Sequence, residues 1–269
     1  MANTTAGRKG VGGTESQGLG RLITPGILAG LLGGIVLAMI MMIVMGASGM
    51  GFASPLNLGM GSFLFTVVPP LVMFPSLMAA MGIALPASVA SQLMTAIQSG
   101  HIPPAMASQL GSMLTAMHVP QAKLQLIAQM MSGHATNSTV ASLMNQMSPA
   151  ARASVMSAMP ISWTHMIVGA MLHMVFSAIL GVAFFLIIRV AATKFLPALD
   201  STAGYVLAGM AGGIIVYIIN RWIVLPLTNP LMAFVPQLAF FIAHLMFGMI
   251  VGYALALTVQ RRSAGLGRV

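Results

Sequence analysis

The chain has 269 residues, of which 58% are hydrophobic and 5% charged, and its mean hydropathy is +0.97. No water-soluble core of this length hides so much apolar surface, so the composition predicts an integral membrane protein. The net charge of +9 comes with no cysteine, which excludes disulfides and thiol chemistry; the basic residues flank apolar segments instead of forming one patch, which argues against nucleic acid as a partner.

Residues 1–22 read as a disordered cytoplasmic tail carrying Arg8, Lys9 and Arg21. The apolar stretch 23–46 follows, long enough to cross a bilayer core, which takes about twenty residues. It exceeds the roughly 7–15 residues of a signal-peptide core, so it is expected to stay as a helix. Residues 47–85 contain a second apolar run, 63–85, but Pro69, Pro70 and Pro75 interrupt its hydrogen-bond ladder. A re-entrant or interfacial hairpin is expected there.

Between 86 and 160 the composition changes to Ser, Gln, Ala, Thr and Met. ASQLMTAI at 90–97 recurs as ASQLGSML at 107–114, each after a proline, Pro86 or Pro104, as helix starts are. Leu93, Met94 and Ile97, like Leu110, Met113, Leu114 and Met117, keep the apolar spacing of amphipathic helices. These short helices are expected to form an extracytoplasmic cap or to lie on the outer leaflet. Three further spans follow at 163–188, 203–227 and 233–259, and residues 260–269 form a basic cytoplasmic tail. With four crossings and a cytoplasmic N-terminus, eight basic residues fall inside and three outside, as the positive-inside rule prefers; a fifth crossing at 63–85 makes the split six to five.

The four spans echo one another in pairs. ILAGLLGGI at 27–35 returns as VLAGMAGGI at 206–214, identical at six of nine positions, and HMVFSAILGVAFFL from His173 returns as HLMFGMIVGYALAL from His244. The order predicts two parallel copies of a two-helix repeat, related by an axis along the membrane normal. Gly34 to His173 is 139 residues and Gly213 to His244 is 31, so the first copy holds an insertion of roughly 108.

Small residues recur every four positions: Gly26, Gly30, Gly34 and Ala38 in the first span, and Gly209 and Gly213 in the third. This spacing lets helix backbones pack closely within lipid. His165, Gly169, His173, Ser177 and Gly181 form a stripe in the second span, and His244, Gly248, Gly252 and Ala256 its counterpart in the fourth. His173 and His244 are therefore expected to face helices at one depth. Three roles stay open: hydrogen bonds across the packing, a proton relay, or ligation of haem or copper by His173 and His244, with His165, Met166 and Met174 as further ligands. The 27 methionines fit gap-filling better than metal capture, since most occupy apolar helix positions.

No Walker loop, nucleophile elbow or zincin motif occurs. Glu15 and Asp200 are the sole acidic residues, too few for paired-carboxylate catalysis or a carboxylate-lined path within one subunit. The chain is thus expected to be a non-enzymatic scaffold or accessory subunit in the inner (cytoplasmic) membrane, bound to lipid and to a membrane-protein partner or its own copies. A haem- or copper-binding protein, or a small oligomeric transporter or channel, are the alternatives. HLMFGMIVG at 244–252, with its histidine, an aromatic three positions later and glycines on one face, together with the glycine-rich first span, resembles a family of small, uncharacterised prokaryotic multi-pass membrane proteins. The resemblance covers the four spans, leaves out the methionine-rich insertion, and implies no particular activity.

Overall fold

A computed structural model describes residues 20–56, 74–98, 102–132, 136–158, 162–228 and 230–266. Helix α1 spans Ile23–Ala47, α2 Phe74–Ala80, α3 Ala87–Gln98, α4 Pro104–Ala116, α5 Gln121–Met131, α6 Asn137–Asn145, α7 Pro149–Ala158 and α8 Trp163–Val190. A π-turn over Ala191–Phe195 and a 3-10 turn over Pro197–Leu199 lead to α9, Thr202–Ile219. A second π-turn, Asn220–Val224, runs into the short α10, Leu225–Thr228, and a 3-10 turn at Pro230–Phe234 precedes α11, Gln237–Leu266. The fold is all-α among the described residues. Four stretches are long and apolar enough to cross a membrane: Ile23–Ala47, Trp163–Phe195, Thr202–Thr228 and Gln237–Arg261. The N-terminal tail, residues 57–73 with Pro69 and Pro70 of the expected hairpin, and His101 and His134 lie outside the described residues.

The span boundaries shift from expectation where prolines act. The fourth helix starts at Gln237 and not at 233, because Pro236 disfavours helical geometry in the residue before it. Pro226 lies inside the third span and lacks the N–H that would bond the Trp222 carbonyl. The ladder widens into a π-turn over Asn220–Val224 just ahead of it, a common way to absorb such a break.

The chain divides into two compact units, Met1–Leu37 with Met174–Val216 and Ala243–Val269, and Ala38–His173 with Tyr217–Ile242. The first has a core of Leu22, Ala29, Phe184, Phe185, Ile188, Tyr205, Phe247, Val251 and Leu255. The remaining faces of its helices are apolar and exposed, as at Leu28, Leu32, Ile187 and Leu207, which is how a lipid-facing surface looks.

The second unit contains α2–α7. Of the expected apolar positions Met94 and Met113 are half-buried and Met117 is 43% exposed, whereas Leu93, Leu110, Leu114, Ile127, Val140, Leu143 and Met144 are fully or almost fully buried. Met78, Met130, Met147 and Met156 are buried with them, consistent with methionine as packing material. Helix α4 carries Pro104 at its first position. Helix α6 opens on a capping box in which the Thr136 and Thr139 side chains satisfy each other's backbone N–H groups. Thr139 also donates to Gln129 Oε1 at 2.9 Å, tying α6 to α5.

Helices α1, α2 and α4 end alike, with the N–H groups of the two residues after the last turn folding back onto its carbonyls. The left-handed residue that closes this motif is Gly49 after α1 and Gly82 after α2, but His118, at φ 57°, after α4. A Cβ in that region costs about 1–2 kcal/mol. His118→Gly should therefore stabilise the cap by about 0.5 kcal/mol, the remainder being lost to glycine's freedom in the unfolded chain. His118→Val should destabilise it, because a branched Cβ worsens the strain. Thermal unfolding of the two variants in detergent checks the opposite signs.

Candidate functional site

Of the sequence-predicted glycines, Gly26, Gly30, Gly181, Gly209, Gly213, Gly248 and Gly252 sit at two helix crossings in the first unit. Helix α1 meets α8 where a Cβ on Gly30 would collide with the Ser177 carbonyl oxygen and come within 3.0 Å of Gly181 Cα. Gly26 faces Val182 Cα, 2.9 Å from where its own Cβ would lie, and a Cβ on Gly181 would strike the Gly26 carbonyl oxygen. Helix α9 meets α11 in the same manner. There a Cβ on Gly209 would collide with the Gly248 carbonyl oxygen and reach 2.9 Å from Gly252 Cα, while one on Gly252 would strike the Tyr205 carbonyl oxygen. In both crossings the neighbour is main chain, so no side chain can step aside.

Two glycines outside the four-residue stripes link these pairs. A Cβ on Gly33 of α1 would lie 2.8 Å from Phe247 Cδ2 of α11, and one on Gly212 of α9 would lie 2.9 Å from Phe184 Cε2 of α8. Phe184 and Phe247 meet edge to face, with centroids 5.9 Å apart. Each ring fills the space left by a missing side chain on a neighbouring helix.

His244 lies in the first unit at 3% exposure, and its carbonyl oxygen packs against Gly213. His173 and His165 belong to the second unit and are half-buried. The backbone N–H of His165 donates to Ser162 Oγ at 3.3 Å, which caps α8. Met174 follows His173 on the same helix and so points about 100° away from it, and Met166 is turned likewise from His165. Among the described residues no group of three or more His, Cys, Asp or Glu side chains lies together. Gly34, the third member of the first stripe, is buried.

A polar cluster that no sequence motif marks closes the α8–α9 connection. Arg189 donates to Asp200 Oδ1 at 2.9 Å and to the Tyr205 hydroxyl, and that hydroxyl donates in turn to Asp200. Tyr205 is 2% exposed, so the network satisfies a buried hydroxyl that would otherwise cost stability. Ser201 caps α9 through the Gly204 N–H at 3.0 Å, and Gln260 near the end of α11 donates to Thr202 at 2.7 Å. Asp200 could not be found as a partner from spacing alone, since its contacts lie 5 and 11 residues away across a turn.

The Tyr205 hydroxyl, and secondarily the facing Arg189 guanidinium, hold the Asp200 carboxyl below its ordinary 3.8. A carboxylate with a depressed folded value stabilises fully above the unfolded value near 3.8 and loses that contribution as pH falls through the folded one. The side chain is 45% exposed, which limits the amplitude to at most about 1 kcal/mol. Unfolding midpoints measured from about pH 5 down to pH 2 should fall in the native protein and fall less steeply in Asp200→Asn.

In the second unit a groove of about 650 Å³ runs between α4 and α5, with Leu114, Leu124 and Ile127 on its apolar side and Ser108, Thr115 and Gln125 among its polar residues. Arg152 of α7 stacks over the Phe234 ring at 5.2 Å, and Arg221 over Trp222 at 5.1 Å. Trp163 and Trp222 are 71% and 68% exposed, the disposition of interfacial anchors. Comparison with protein-family models, curated proteins and solved structures finds no match to the chain.

Proposed function

We propose that the chain is a non-enzymatic scaffold or accessory subunit of a membrane complex, a four-span anchor that holds a helical cap for recognition of another membrane protein or a second copy. The observation that supports this reading most is the division of labour between surfaces. The glycine faces that would otherwise suit helix–helix association with a partner are taken up by the chain's own main chain at Gly30, Gly181, Gly209 and Gly252. The α4–α5 groove, with apolar and uncharged polar side chains and no carboxylate, remains as a surface of interface character. The eight-to-three distribution of basic residues supports an inner-membrane location with both termini cytoplasmic.

The two crossings support a second part of the proposal, that the spans arose by duplication of a helix pair. Shifting α1 numbers by 179 and α8 numbers by 71 carries the pair Gly30–Ser177 onto Gly209–Gly248, and the pair Gly26–Gly181 onto Tyr205–Gly252.

Photocrosslinking in intact membranes tests the scaffold reading. A benzophenone side chain replacing Gln125 in the groove should give discrete protein adducts, whereas one replacing Met39, 54% exposed on α1, should give lipid adducts. Lipid adducts or none at both positions would sink the proposal. Haem or copper binding is the second reading, supported by the burial of an ionisable His244 within a span. A Soret band or stoichiometric copper that disappears in His244→Ala would favour it.

A further inference from the structure

The last turns of α8 and the π-turn after them form a shallow groove of about 450 Å³, lined by Leu186, Ile187, Val190, Ala191 and Phe195. Its lining is wholly apolar, and Ile187 and Phe195 are 66% and 72% exposed. These residues belong to a stretch that is apolar enough to cross a membrane, so the groove opens towards hydrocarbon. Lys194 lies in the same π-turn as Ala191 and Phe195, two of the groove's lining residues. It follows Val190 by four residues, which places it on the groove's own face, one turn further along.

Among the described residues Lys194 forms no ion pair, the one salt bridge being Arg189–Asp200. Asp200 is the only acidic side chain among the described residues, and it is held by Arg189 and Tyr205. Lys194 is exposed at the end of the span, where an ammonium meets the headgroup layer. A wide π-turn at this point is also the kind of helix irregularity that recurs at functional positions.

We infer that this groove and Lys194 together bind an anionic phospholipid, with one acyl chain along Leu186, Val190 and Phe195 and the phosphate on the Lys194 ammonium. The site depends on the membrane location of the chain and not on the scaffold proposal, so either stands if the other fails. Zwitterionic lipid fits the same groove but gains less from the lysine, because its headgroup carries a compensating cation of its own. Selectivity between the two headgroups is therefore the property to measure.

The full chain is reconstituted in vesicles of phosphatidylcholine containing brominated-tail phosphatidylglycerol or brominated-tail phosphatidylcholine, and tryptophan quenching is read at a single site. One reporter is Phe195→Trp in a Trp163→Phe, Trp222→Phe background; the control keeps native Trp163 alone, at the other end of α8. The phosphatidylglycerol lipid should quench the 195 reporter with about fivefold preference, the size expected of one lysine beside an anionic headgroup, and show no preference at Trp163. Lys194→Gln should remove the preference and Lys194→Arg should keep it. Equal quenching by both lipids at 195, the same preference at both reporters, or a preference that survives Lys194→Gln would each overturn the proposal. Competition by added inorganic phosphate would overturn it as well, since a free anion would then be the ligand.

Discussion

Gly209→Leu should abolish the folded protein in detergent, and Gly30→Leu should do the same. At Gly209 the added side chain starts from a Cβ that overlaps the Gly248 carbonyl oxygen and lies 2.9 Å from Gly252 Cα. Overpacking usually costs about 1–3 kcal/mol, and the upper end or more applies where the neighbour is main chain, because no rotamer relieves it. Two helices would have to separate by more than an ångström along their crossing. In lipid that separation forfeits the van der Waals contact that holds them together, with no hydrophobic gain from water to offset it. The measurement is the fraction of monodisperse, protease-resistant protein after extraction from the membrane. Wild-type behaviour of Gly209→Leu would show that α9 and α11 are not in close contact.

Gly111→Ala supplies the opposite sign. Gly111 lies within α4, and nothing stands within 4 Å of where its Cβ would be. Alanine is then a pure gain in helix propensity, about 0.8–1.0 kcal/mol at an interior position. The two substitutions separate close approach from mere presence of glycine. The proposed duplication adds a quantitative expectation, that Gly30→Ala and Gly209→Ala destabilise by similar amounts because each Cβ meets the carbonyl oxygen at the equivalent position of the partner helix, Ser177 and Gly248.

Spacing in the sequence reveals contacts that repeat, and the structure differs where contacts do not. The stripes Gly26–Gly30 and Gly209–Gly213 are visible because a helix returns to the same face every three to four residues, and the proline-led segments at 87 and 104 are visible because proline fixes a helix start. The four spans follow from the length of their apolar stretches. By contrast, the Arg189–Asp200–Tyr205 cluster joins residues on two helices and a turn, and neither spacing nor composition says that the carboxylate folds back. His118 in the left-handed region is equally silent, since a glycine would have signalled the α4 terminus and a histidine does not. Gly33 and Gly212 each lie one position before a stripe member, so periodicity assigns them no partner. The aromatic rings that occupy their space come from helices distant in the chain.

Gly33 and Phe247 should show energetic coupling, so that the double substitution costs less than the sum of the singles. A methyl group at Gly33 meets the Phe247 ring edge at 2.8 Å and 3.3 Å and its carbonyl oxygen at 3.3 Å. The ring is 2% exposed and in edge-to-face contact with Phe184, so it cannot rotate away freely, and Gly33→Ala should cost about 1–2 kcal/mol. Phe247→Ala removes the ring and leaves a void, at about 3–4 kcal/mol, the lower part of the usual range because lipid replaces water as the alternative environment. With both changes the new methyl enters space the ring has vacated, which removes the clash and fills part of the void. The double variant should therefore be more stable than the sum of the singles predicts by about 1 kcal/mol or more, within the range seen for contacting residues. Reversible unfolding in mixed micelles gives all four corners of the cycle. Simple additivity would mean that ring and glycine do not touch, and α1 and α11 would have to be held together by something other than a side chain seated on a glycine.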